Sequence, residues 1–444
     1  MTARRLTRAQ VLRASAGSLL LGTGPAAGSA LAACGAAGGA PAQVSAKPAS
    51  LVLHTDWLAG PRGQVTEQAL AEYRQRYPQI TIKAEALPGD TAEKLTALIA
   101  ADSIGDVALW THHLVVYFAK RNFFTDLRPY LKTYKFSMDD VYYIPEIVYY
   151  ENKLLAVPFQ LNLSDWIYNK TLFKQMGVPP PPDTWTWEQL VATAKRLTQP
   201  DKDVWGLEWG ITTGNPGNWT TPIRANGGTL LNATFTKTTL DQPAAVETIE
   251  LILDVLHKHR VAPLRTYHAE KQLAFAKGHY AMTFGGSANR ALDKQMQDAG
   301  QMEWDFFYAP LWPRTGKRAV GSNLQPYVVP ATKRETREQA VQLAFFMGSE
   351  YVQGLIADTG AAVPTFKKLI DNDRYLIPAH RRKIVLDGHA YRLGMGSNFE
   401  AYLPWRRAVE AEFFKGWDGV QSAKDTALKA TAAGDAALAA ATRG

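Results

Sequence analysis

From residue 50 onward the apolar positions switch repeatedly between a two-residue period and a helical one, the mark of alternating strands and helices. LVLHTDW (51–57) reads as a strand, followed by a polar turn around Gly60-Pro61. Leu70, Tyr73 and Tyr77 recur at helical spacing, which predicts a helix over 66–77 stopped by Pro78. QITIKAEAL (79–87) alternates as a strand does, and TAEKLTALIAAD (91–102) is an amphipathic helix with cap signals at Asp90 and Thr91. DVALW (106–110) is the next strand. A β-α-β-α-β order with short connections predicts an α/β sheet with helices on its faces.

Farther along, LLAVPF (154–159) is strand-like, and a run of four prolines (179–182) precedes a helix opened by Thr184. Residues 205–236 are rich in Gly, Asn, Thr and Trp and read as loop. AAVETIELILDVLHKH (244–259) is strongly amphipathic, AMTFGG (281–286) runs as a strand into a glycine turn, and 270–278, 335–357 and the tail beyond Lys424 read as helical. Ligands of open α/β sheets bind beyond the carboxyl ends of the strands. Asp56-Trp57 and Trp110-Thr111-His112-His113 stand at two such ends, which places both polar-aromatic clusters on one rim.

The chain has 444 residues, of which 46% are apolar and 20% charged, enough for two compact lobes and too much for one small core. Twelve Trp and 18 Tyr exceed what a groove needs, so most of them belong to the core. The formal charge is +8, but four Arg and no acid lie within residues 1–33, and setting them aside leaves +4. With no long basic run, nucleic-acid binding has little support. Arg4, Arg5, Arg8 and Arg13 precede an uncharged stretch of small and apolar residues from Ala14 to Leu31, which reads as a signal peptide over 1–33. Arg4-Arg5 resembles the start of a twin-arginine export signal, with the usual apolar pair missing. Leu31-Ala32-Ala33-Cys34-Gly35 resembles a bacterial lipobox, which implies a lipidated Cys34, and 34–49 reads as a flexible tether. Cys34 is the sole cysteine, so no intrachain disulfide forms. No later stretch is apolar enough to span a bilayer.

Several segments together carry a resemblance. Arg76-Tyr77-Pro78-Gln79-Ile80, the helix from Lys94-Leu95 to Asp102 leading into Gly105-Asp106-Val107, and Pro158 followed by Tyr168-Asn169-Lys170-Thr171-Leu172-Phe173 fall in order. So do Pro182-Asp183-Thr184-Trp185, Phe275-Ala276-Lys277-Gly278 with Ala281-Met282, and Gly360 with Pro364. Over roughly residues 50–435 the chain resembles the extracellular solute-binding proteins of ABC importers, in the branch related to maltose-binding protein. The resemblance implies two α/β lobes joined by three crossings, here near 159–164, 305–311 and 329–335. Lobe 1 would take 50–160 and 308–331, and lobe 2 would take 161–307 and 332–444. It further implies a lipid-anchored monomer on the outer face of the bacterial cytoplasmic membrane, partnered by the permease subunits of an ABC importer and closing on a small solute in its cleft. No cofactor is called for.

Carried over residue by residue, the resemblance assigns Trp110, with Thr111 and His113, to contact a sugar, His113 standing where an acid is expected. Asn162 matches a ligand-contacting hinge position, with Gln160 and Asp165 as polar neighbours and Asn323 as a further cleft candidate. Trp219 and Arg224 match the aromatic loop of the second lobe, Gly286 and Ser287 a ligand-facing turn, and Trp405 a late aromatic position. Asp56 and Trp57 complete the rim. Ala288 replaces an expected Trp, which argues against maltose itself. Aromatic faces beside neutral polar groups suit a mono- or oligosaccharide. A peptide, polyamine or phosphate ester on the same fold is the alternative, and Arg224 in the cleft favours an anion. A secreted glycoside-acting enzyme is more remote, since Asp56, Asp165 and Glu208 show no pairing motif. His112-His113 lacks a third ligand at suitable spacing for a metal.

Overall fold

The computed structural model describes residues 47–87, 92–110, 112–164, 166–209, 217–284, 300, 302–333, 335–370, 383–384, 387–388, 391–394, 396 and 399–441. Strand β1 (Ala49–His54) leads into helix α1 (Gly60–Arg76), which begins earlier than its apolar period suggests. Pro61 sits in the first turn, where a missing N–H costs nothing and a fixed φ is already helical. Strand β2 (Ile80–Glu85) buries Ile80 and Ile82 and exposes Thr81 and Lys83, the alternation expected of a half-covered strand. Helix α2 (Ala92–Ala100) returns the chain to β3 (Val107–Leu109), whose three residues are all buried, as in a strand covered on both faces. Helix α3 (Val115–Ala119) follows.

The long strand β4 (Ala156–Ser164) is succeeded almost at once by β5 (Trp166–Asn169), which belongs to a different sheet. Helix α4 (Trp187–Leu197) opens at Thr186, two residues beyond the expected cap, because Gln189 completes a reciprocal capping box there. Residues 205–236, read as loop, contain strand β6 (Trp205–Glu208) and helix α5 (Gly217–Ala225), which tolerates Pro222 in its interior. Helix α6 (Pro243–Leu253), β7 (Tyr280–Phe284) and β8 (Trp304–Phe307) follow. Then come β9 (Val320–Val328), α7 (Arg337–Met347), α8 (Glu350–Thr359), β10 (Val363–Pro364) and β11 (Arg392–Gly394). Helices α9 (Tyr402–Trp417) and α10 (Ala423–Ala441) close the chain.

Two sheets organise these elements. The first runs β10-β4-β9-β3-β1-β2, with β11 also paired to β9, and the second runs β8-β5-β7-β6. In the first, β1, β2 and β3 are parallel while β9 is antiparallel to both β3 and β4. Among the described residues the chain passes from one sheet to the other between Ser164 and Trp166, over 308–319, and again between β11 and α9. The expected crossing at 329–335 is instead interior to the first lobe, since Val328 and Val329 are buried and α7 packs on β1 and β3. Residues 337–364, counted with lobe 2 from sequence, therefore lie on the first sheet, where β10 pairs with β4. Helices α9 and α10 pack on α6 of the second lobe.

Candidate functional site

The parallel strands of the first sheet end at a rim. After β1 come buried Thr55, exposed Asp56 and buried Trp57, whose backbone N–H donates to Thr55 Oγ1 at 3.1 Å. After β3, the Trp110 N–H donates to the Pro326 carbonyl at 2.8 Å, tying the rim to β9. Asp106, at the start of this segment, serves the sheet: its carboxylate accepts from Val52 N at 2.8 Å and from the Thr336 hydroxyl. Beside it, His54 Nδ1 accepts from Gly105 N–H at 3.1 Å, and burial holds this imidazole below its ordinary pKa.

The aromatic candidates are core residues. Relative exposure is 0% for Trp57, Trp110 and Trp405 and 2% for Trp219. Phe118 and Phe124 pack edge-on to Trp110 at 5.2 and 5.3 Å, and Phe123 lies 5.9 Å away. Trp57 meets Phe159 edge-on at 4.7 Å, with the Arg62 guanidinium 5.3 Å from its centroid. Trp219 packs edge-on against Phe413 at 4.8 Å and donates its indole N–H to Glu410 Oε1 at 3.3 Å. Burial raises the Glu410 pKa, while Arg406 Nε donates to the same oxygen at 2.9 Å. Trp405 donates to Thr238 Oγ1 at 3.0 Å. The ring faces expected to cover a solute are thus turned into the two lobes and covered by protein. A sequence pattern marks a ring beside polar groups but not which way the ring points.

The polar candidates fare differently. In the β4–β9 ladder, Asn162 stands opposite Asn323 and Gln160 opposite Gln325. Gln160, fully buried, donates its side-chain amide to the Gln325 carbonyl oxygen. The other acceptors, Gln160 Oε1 and Asn323 Oδ1, and the Ser322 hydroxyl meet no partner among the described residues. Across the hinge, α5 packs against β9 and carries buried Thr220 and Thr221, whose hydroxyls are also unpartnered among the described residues. Gln325, Thr220 and Thr221 escaped the sequence reading. The register of β4 against β9 identifies the first, and it appears only once the strands are paired.

Arg224 does not join this group; it lines a separate cavity with Arg318 and Arg392. Glu208 ends β6, where burial raises its pKa and the Thr283 hydroxyl donates to it at 2.7 Å. Cys34, Thr111, Asp165, Gly286 and Ser287 lie outside the described residues, as do the side chains of His113 and Asn162. Among the described residues no group of three His, Cys, Asp or Glu side chains could hold a metal, and no helix is long and apolar enough to cross a membrane.

Solved structures share this architecture. An ABC substrate-binding protein from Listeria monocytogenes, in complex with cycloalternan, superposes with a TM-score of 0.78 at 20% identity, covering 89% of this chain and 100% of its own. A solute-binding protein from Thermotoga lettingae, bound with alpha-D-tagatose, gives 0.74 at 18% identity over 88% of this chain and 99% of its own. The GacH receptor of Streptomyces glaucescens, solved unliganded and with acarbose, gives 0.74 at 18% identity over 89% and 99%. The fold is therefore that of the two-lobed binding proteins. Independently, residues 59–354 match the sequence profile described as bacterial extracellular solute-binding protein. That match takes in the second sheet, four strands of the first (β2, β3, β4 and β9) and the first two passages between them, and on it the chain belongs to the bacterial extracellular solute-binding protein family.

Proposed function

We propose that this protein captures a carbohydrate between its lobes and delivers it to the permease of an ABC importer, without chemistry of its own. The observation that carries the reading is the hinge ladder and its surroundings. Gln160, Asn323 and Gln325 are neutral carboxamides on the two strands that connect the lobes, and Thr220 and Thr221 add hydroxyls. A buried acceptor without a donor costs about 1–3 kcal/mol. A solute rich in hydroxyl groups supplies donors to Gln160 Oε1 and Asn323 Oδ1 and acceptors to the two threonine hydroxyls. The neighbours of like fold bound to cycloalternan, tagatose and acarbose support the same class of ligand. Asp56 on the rim, with Thr111, His113, Asn162 and Ser287, belongs to the proposed contact set, whereas Trp57, Trp110, Trp219 and Trp405 support it from beneath.

Closure of the lobes about 164–166 and 308–319 would draw its energy from contacts made only in the closed state. Lipidation at Cys34 would hold the protein at the outer face of the cytoplasmic membrane, with the residues between Cys34 and β1 as the tether. The test is thermal melting of the purified protein against mono- and oligosaccharides, polyols, amino acids, peptides and phosphate esters. A ligand of the folded state at a hundred times its Kd adds about 2.7 kcal/mol and raises the midpoint. A sugar series is expected to do so, and Asn323→Ala to weaken it. Stabilisation by peptides or amino acids alone would refute the carbohydrate assignment.

A further inference from the structure

A cavity of about 900 Å³ lies at the hinge, away from the strand-end rim. Three parts of the chain build it. Arg224 comes from α5, Lys317 and Arg318 from the second passage between the lobes, and Lys383 and Arg392 from the stretch that ends in β11. Two carboxylates line the same space, Asp183 and Asp387. Asp387 is already engaged, accepting from Lys383 Nζ at 2.5 Å and from the Tyr308 hydroxyl at 2.6 Å. Asp183 is exposed, and Arg318 reaches its main-chain carbonyl, at 2.9 Å. The Arg318 guanidinium also lies 4.9 Å from the Tyr308 ring centroid, and no carboxylate among the described residues pairs with it at salt-bridge distance. Arg392 points toward the first lobe, donating to the Tyr143 carbonyl at 3.5 Å and lying 5.8 Å from the Tyr142 ring.

Cations in a concave space focus potential far more than the same charges spread over a convex surface. The apolar walls contributed by Leu311 and Leu393 strengthen the effect by displacing water. Guanidinium groups, with donors in a fixed fork, suit planar or tetrahedral oxyanions. We propose that this hinge cavity is a second binding site, distinct from the carbohydrate cleft, and that it takes a multivalent oxyanion bearing phosphate or carboxylate groups. Because Arg318 stands on the second passage and Arg392 on β11 of the first sheet, an anion held by both ties that passage to the first sheet. It thereby biases the balance between open and closed lobes. The coupling is reciprocal: solute in the cleft shifts the affinity for the anion by the same factor.

Isothermal titration of the protein with pyrophosphate, inorganic phosphate and citrate, against a chloride series of matched ionic strength, tests the site. Saturable binding at one site per chain is expected for pyrophosphate or citrate and not for chloride. Which of the two binds more tightly tells phosphate from carboxylate chemistry. Arg318→Gln and Arg392→Gln are each expected to weaken binding about tenfold, the loss of one charge-assisted hydrogen bond. Arg314→Gln, whose native guanidinium pairs with Glu247 outside the cavity, is expected to leave it unchanged. Circular dichroism melts of each variant separate lost binding from lost folding, and Arg224→Gln replaces any variant that fails to fold. Absence of saturable binding, equal response to chloride, or unchanged affinity in the folded Arg318 and Arg392 variants would overturn the proposal. None of these outcomes depends on which solute occupies the cleft.

Discussion

Replacing Trp110 by Ala distinguishes a ring that packs from a ring that binds. The indole is fully buried and touches three phenylalanine rings, two of them edge-on at 5.2 and 5.3 Å. Burying an aromatic side chain removes on the order of 150–250 Å² from water. At about 25 cal/mol per Å², that is a transfer contribution of about 4–6 kcal/mol as an upper bound. Observed Trp→Ala losses in cores run about 3–5 kcal/mol, since the cavity left behind collapses only in part. Edge-on ring pairs contribute about 0.5–1.5 kcal/mol each beyond area, and this expectation already contains them. A loss of about 3–5 kcal/mol is a large share of a native stability near 5–15 kcal/mol. The assay is urea unfolding followed by far-UV circular dichroism, extrapolated linearly to water. Trp110→Phe, which keeps an aromatic body in the cluster, is expected to lose less than half as much. A Trp110→Ala protein less than about 1 kcal/mol destabilised, yet stripped of solute affinity, would refute the argument and return the ring to the ligand.

Other outcomes follow from particular contacts. Trp405→Phe keeps most of the buried ring but removes the donor to Thr238, so urea unfolding should show a loss of about 1 kcal/mol, and no loss would mean that the bond is idle. Gly105→Ala would place a methyl 2.8 Å from the Val52 carbonyl oxygen, backbone that cannot swing aside, and a melting temperature equal to wild type would refute that packing. His54 is held below its ordinary pKa by burial and accepts the Gly105 N–H on Nδ1, so folding favours the neutral ring. Its contribution is complete above the unfolded value of about 6.5 and fades as pH falls from there through the folded pKa. Urea midpoints of wild type and His54→Gln should therefore converge as the pH is lowered through that window, and a constant gap would contradict the linkage. Asn323→Ala should weaken carbohydrate binding about fivefold or more in a fluorescence titration while leaving stability within about 1 kcal/mol, because its side-chain oxygen has no partner among the described residues.

Local order was readable in the chain because its causes are local. The alternation of Ile80 and Ile82 with Thr81 and Lys83, the stop at Pro78 and the amphipathic run through Ile249 and Ile252 each act within a few residues. Even there, Pro61 and the Thr186–Gln189 capping box moved two helix starts, since a cap competes with the apolar period over one turn. The family resemblance and the two α/β lobes were likewise legible, as the order of short motifs along the chain. What only the tertiary structure decided depends on partners distant in sequence. Residues 337–364 lie with the first lobe because β10 pairs with β4, just over two hundred positions earlier. The β4–β9 register set Gln160 against Gln325, a pairing that no single strand announces. Above all, the direction of each indole was settled by packing. A tryptophan beside polar residues can turn outward to a solute or inward to a core, and Phe118, Phe123 and Phe124 drew Trp110 inward because burying four rings together removes more apolar surface from water than exposing one of them.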